Sequence, residues 1–190
     1  MQSKEHMKQF VISLLNDNLP PNYYYHNYEH TLYVLDKAME IGQHENCTEL
    51  QVKLLVAAAL WHDAGYIKTY NNHEEAGCEL AAFYLPGYGY SPEEIEKVKG
   101  MIMATKLPQS PKNKLEEIIA DADLEYLGTA DAGIWADRLY QEWHALDKTL
   151  TREEWQHKQV SFISNHHYFT DYCKSTREPL KQRYLNDLVK

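Results

Sequence analysis

Along the first turns of the chain Met7, Phe10, Leu14 and Leu15 fall on one side of a helical spiral, and Pro20-Pro21 follows. That spacing predicts a helix over about 3–18 that the prolines end. The same periodicity predicts helices over about 28–43, 49–63, 73–85, 92–105, 113–127, 130–147, 152–166 and 176–189. Start signals agree. Thr48-x-x-Gln51, Asn72-x-x-Glu75, Ser91-x-x-Glu94 and Thr151-x-x-Glu154 each fit a capping box, and Pro92 suits a first helical position. Gly65, Gly128 and the Pro86–Tyr90 stretch read as stops. No segment alternates apolar and polar residues long enough for a strand, and no repeat or linker interrupts the pattern. The expectation is an all-α bundle of about nine helices forming one unit over 1–190, with its best seam at Leu146–Thr151.

One run departs from amphipathic spacing. In LLVAAALWHDAG, seven apolar residues from Leu55 to Trp61 lead straight into His62-Asp63. A helix that is apolar all round is buried, so these two polar side chains need partners. His62 suits the negative end of a helix dipole, whereas Asp63 is misplaced there without a compensating cation. Adjacent imidazole and carboxylate at the mouth of a buried helix are able to bind one metal ion. Further donors exist upstream, at His30 in YHNYEH, and downstream, at Asp121 and Asp123 in IIADADLEYLG.

Composition narrows the partners. The chain has 190 residues, 44% hydrophobic and 25% charged, which suits a globular unit with a real core. A net charge of −9 argues against non-specific nucleic-acid binding and against an anionic membrane surface. It leaves an anionic substrate open, since a metal supplies local positive charge. Cys47, Cys78 and Cys173 are widely spaced with no CxxC, so a reducing compartment is the simpler reading. The polar start MQSKEHMKQF and the lack of a spanning apolar run point to a cytosolic protein. Fifteen tyrosines read as packing and rim aromatics.

Four blocks, YHNYEH, AALWHDAGY, NNHEEAG and IIADADLEYLG, run in that order from about Tyr24 to Gly128. Together they resemble the HD-domain superfamily of metal-dependent phosphohydrolases. The resemblance implies a helical bundle with a metal-site core over about 24–128 and C-terminal helices over 129–190 packed on it. It implies His30, His62, Asp63 and an aspartate of the last block as ligands. Asp123, with Ala122 before it and Gly128 five residues on, matches the family pattern better than Asp121, which then becomes a second acceptor or a substrate contact. Imidazoles and carboxylates without cysteine suit Mn, Fe, Co, Ni or Zn, with Mg possible, and not a structural zinc. In two-metal relatives further histidines follow the HD pair. Here His73 is the one candidate and 101–106 offers only Thr105 and Lys106, so a single divalent transition metal is expected.

The resulting expectation is hydrolysis of a phosphate ester, a nucleotide or another small phosphorylated metabolite, by metal-activated water. Asp63 is placed to bridge metal and water, and His73 first, His26 second, to protonate the leaving oxygen. Asn27, Glu74, Asp121, Lys68, Lys106, His167 and Arg177 are candidate substrate contacts; Asn27 equally suits a turn. Tyr168 and Lys181 join His167 and Arg177 in a C-terminal segment placed to close over the pocket. A turnover-free metal or nucleotide regulator and, behind it, an iron-dependent oxygenase of the same fold are the rival readings. A homodimer stays open. No GxSxG, P-loop or GxGxxG occurs.

Overall fold

The computed structural model describes residues 4–190. Among them it has ten α-helices and no strand: α1 (Lys4–Asn18), α2 (Tyr28–His44), α3 (Glu49–Trp61), α4 (His73–Tyr84), α5 (Pro92–Ala104), α6 (Lys114–Asp123), α7 (Ala132–Leu146), α8 (Arg152–Asn165), α9 (Asp171–Thr176) and α10 (Glu178–Leu188). Short 3-10 turns follow α3, α4 and α6, at Ala64–Ile67, Leu85–Tyr88 and Glu125–Gly128. None of the described helices is long and apolar enough to cross a membrane.

The all-apolar run sits at the centre. Every residue of α3 from Leu54 to Trp61 is buried, with α2, α4, α5 and α6 packed against it. α1 covers the outer side of α3 through Met7, Val11 and Leu15. A second apolar cluster, with Tyr25, Leu124, Tyr126, Trp135 and Ile163, joins α7 and α8 to this core.

Three capping boxes form, at Thr48, Ser91 and Thr151. The fourth does not. Asn72 lies in the left-handed region at φ 56 and caps nothing with its side chain. Its Oδ1 accepts from Lys106 Nζ instead, and Glu75 pairs with the same lysine. Two long helices expected from the sequence also break early. α3 ends at Trp61 and α6 at Asp123, each passing into a 3-10 turn. Both breaks bring a carboxylate to a helix end. The expected last helix over about 176–189 is α10, and a short helix not expected from the sequence, α9, precedes it, because Thr170 caps α9 by accepting from Cys173 N and the chain turns again at Arg177 before Pro179.

Two glycines permit the close approaches that shape the site. A Cβ on Gly65 would stand 1.9 Å from the His73 carbonyl oxygen, so only glycine lets the turn after α3 press on the start of α4. A Cβ on Gly128 would stand 2.5 Å from the Arg177 carbonyl oxygen, which lets the turn after α6 meet the α9–α10 corner.

Candidate metal centre

Three helix ends deliver His30, His62 and Asp123 to one point, with Asp63 beside the two histidines. His30 comes from the first turn of α2, whose start Asn27 fixes by accepting from Glu29 N. His62 and Asp63 leave the end of α3, and Asp123 is the last residue of α6. His30, His62 and Asp123 each offer a ligand atom within 4.8 Å of the others. His30 Nε2 stands 3.0 Å from Asp123 Oδ1 and 3.6 Å from Asp63 Oδ2, and His62 Nε2 stands 3.2 Å from Asp63 Oδ2. His62 Nδ1 lies 2.9 Å from the Ala59 carbonyl oxygen, which orients the ring and turns Nε2 inward.

The donor set fits a divalent ion. His62 Nε2 and Asp63 Oδ2 are buried and make no hydrogen bond, although polar atoms in a core are nearly always paired. Atoms aimed at a shared point but not bonded to each other are what a metal would satisfy. The electrostatics agree. Burial alone would push the His62 imidazole down, but Asp63 and Asp123 outweigh it and hold it well above the ordinary histidine range. Burial would push Asp63 up, but His62 holds it well below the usual carboxylate range. Asp123 is brought down to about 2, with His30 and His62 overcoming its burial. Two carboxylates beside two buried imidazoles favour a positive charge at this point, which a divalent ion would supply.

A second layer faces the cavity. His73 Nε2 stands 3.5 Å from Asp63 Oδ1, the oxygen facing away from His62, and 3.6 Å from Glu74 Oε1. The Tyr66 ring stacks on His73 at 3.8 Å between centroids and lies 4.3 Å from that of His26. His26 Nδ1 is 2.5 Å from Glu142 Oε1. Fully buried Glu142 also accepts from Tyr25 N, His26 N and Tyr70 Oη. Burial would raise its carboxyl, but the bond to His26 keeps it below the ordinary glutamate range. These groups line a cavity of about 370 Å³ that Lys106 and Glu74 also border.

The remaining candidates go elsewhere. Asp121 points away from the centre and accepts from Phe169 N, Thr170 N and Thr170 Oγ1. Asn27 serves the turn, binding the Tyr23 and Tyr24 carbonyl oxygens as well as capping α2. Lys68 lies outside the cavity, 3.8 Å from Glu79. His167 sits in an outer groove beside Phe169. Arg177 pairs with Glu40 and Glu125. Tyr168 Oη donates to the Leu124 and Glu125 carbonyl oxygens, and Lys181 Nζ to that of His166. The segment expected to close over the pocket is instead a brace behind it, because Thr170, Tyr168 and Arg177 bond to α6 and the turn after it. Residues of α7 and α8 form the far wall: Leu139, Trp143, Trp155, Phe162 and Ile163. Neither they nor Glu142 stood out in sequence. Apolar residues at helical spacing read as core, and Glu142 meets His26 from 116 positions away.

The HD-domain family model matches residues 27–125, just over half of the chain. The chain belongs to the HD-domain family. All four helix-end donors lie within the matched stretch. Two solved structures share its fold. One is a predicted HD superfamily hydrolase from an uncultured Thermotogales bacterium, 19% identical, with a TM-score of 0.65 over 95% of this chain and 88% of that one. The other is Bacillus subtilis YpgQ in complex with ADP, also 19% identical with a TM-score of 0.65, over 98% of this chain and 96% of that one. No curated protein matches the sequence at a significant level.

Proposed function

We propose that this HD-domain protein is a metal-dependent hydrolase of phosphate esters, acting on a nucleotide or another small phosphorylated metabolite. His30, His62, Asp63 and Asp123 would hold one divalent transition ion. The observation that carries the reading is the position of Asp63. One of its oxygens faces the buried histidines, and the other faces His73 across 3.5 Å at the cavity wall. A carboxylate so shared links a metal centre to a proton-bearing group.

Such an ion, when bound, supplies a more acidic water and positive charge for a phosphoryl oxygen. The chain's own groups supply the rest. Asp63 Oδ1 accepts a proton on the side away from the helix ends and steers the His73 ring. Tyr66, stacked on that ring, limits its rotation. His73 protonates the leaving oxygen, and His26, locked by Glu142, stands beside the same Tyr66 ring. Lys106 stands at the rim as a phosphate contact. The ADP held by YpgQ supports a phosphorylated small molecule as the class of substrate, and it belongs to that protein.

The test is turnover by the metal-loaded chain of paired esters that differ in their leaving group. General acid catalysis is worth about 100- to 10,000-fold for a poor leaving group. His73→Ala should therefore slow an alkyl phosphate far more than p-nitrophenyl phosphate, whose leaving group needs no proton. Equal loss on both would remove His73 from the acid role. No turnover of any phosphate ester would end the hydrolase reading.

A further inference from the structure

We propose that the substrate is a phosphate monoester of a bulky apolar or aromatic alcohol, an inference that rests on the phosphate-ester reading above. The cavity does not end at Asp63 and Asp123. It continues between α7 and α8, where Leu139, Trp143, Trp155, Phe162 and Ile163 form its wall. Trp143 and Trp155 meet edge to face there, with centroids 5.4 Å apart and planes at 73°. At about 370 Å³ the cavity falls within the range of about 300–1,000 Å³ usual for small-molecule sites. Burial of apolar surface and contact with aromatic faces are the binding forces such a wall provides.

Polar recognition is sparse on that side. Lys158 and Gln159 are the polar side chains of α8 that reach the cavity, and Gln159 Nε2 donates to Tyr184 Oη at 3.4 Å. A sugar or base edge lodged there would find few partners for its hydroxyls and amides, and buried polar groups without partners are disfavoured. Charge limits the other end. The lining holds three carboxylates, Asp63, Glu74 and Asp123, and two lysines, Lys106 and Lys158. Lys106 already pairs with Glu75. With one divalent ion added, the lining carries one net positive charge with Lys106 counted and none once Glu75 neutralises it. That balance suits one phosphate group and disfavours a polyphosphate chain.

The test uses the full metal-loaded chain and two readouts. The first is kcat/KM for 2-(1-naphthyl)ethyl phosphate, glycerol 3-phosphate, adenosine 5′-monophosphate and adenosine 5′-diphosphate. The naphthylethyl and glycerol esters have leaving alcohols of similar reactivity, so their ratio reads the wall. A single methylene in an apolar pocket is worth about 10- to 200-fold, so a preference of at least about tenfold for the naphthylethyl ester is expected. The second readout is calorimetric binding of naphthylethylphosphonate against methylphosphonate, which needs no turnover. The same preference should appear, and Trp143→Gln and Leu139→Gln should each shrink it. Equal binding of the two phosphonates, or a tenfold preference for either adenosine nucleotide over the naphthylethyl ester, overturns the inference and leaves the hydrolase reading in place. An intact phosphonate preference without turnover of any ester overturns the hydrolase reading, and with it the ester's role as substrate, and leaves only the wall's preference for an apolar phosphonate as ligand.

Discussion

Asp121 and Asp123 stand two positions apart on α6 and serve opposite sides of it. Residues i and i+2 of a helix do not share a face. Asp123 therefore meets His30 and His62, while Asp121 meets the backbone of Phe169 and Thr170. Burial raises the Asp121 carboxyl despite the Thr170 bonds that favour its charged form. The two substitutions should separate cleanly. Partners that merely orient a ligand cost about 10- to 100-fold in metal affinity when removed. Asp123→Ala, as loss of a ligand, should cost at least that much by metal titration. Asp121→Ala strands buried donors and should cost about 1–3 kcal/mol in urea unfolding, with a smaller effect on metal affinity. The reverse order would exchange the roles we assign. The sequence brings both aspartates to one short stretch, and the family pattern favours Asp123. What it leaves out is the partner of Asp121, which lies 49 positions away at Thr170.

At the scale of elements, the stretch from Tyr168 to Arg177 braces Asp123 from both sides. Thr170 holds Asp121 before it, and Tyr168 holds the Leu124 and Glu125 carbonyl oxygens after it. Arg177 then pairs with the fully buried Glu125 carboxylate, which also accepts from Tyr33 Oη. Breaking a buried ion pair by removing one partner costs about 3–5 kcal/mol, because the other charge is left uncompensated. Arg177→Met should therefore destabilise the fold by about that amount, and Glu125→Gln in the same background should restore part of it. An unchanged melting temperature in Arg177→Met would remove the brace from the account. Helical periodicity announced most of the elements, since apolar stripes and capping residues are local signals. The brace is not local. Its bonds join residues 43–137 positions apart, and the sequence marked this segment only as rich in histidine, tyrosine and basic residues. The early end of α6 at Asp123 was equally hidden, whereas the end of α3 beside His62-Asp63 was expected to within two residues.

For the whole molecule, the all-helical fold and the family were legible in the order of four short blocks, and the convergence of helix ends follows from how those helices stack around α3. The second wall of the cavity was not legible, because a tryptophan or leucine facing a void has the same spacing as one facing a core. The central claim is that four side chains from three helices hold one divalent ion in this bundle. The most direct measurement is metal content per chain by plasma mass spectrometry, on the wild type and Asp63→Ala side by side after reloading with divalent transition metals. The account predicts near one equivalent in the wild type and its loss in Asp63→Ala, with helical circular dichroism retained in both. No metal in the wild type, or an equivalent retained in Asp63→Ala, would contradict it.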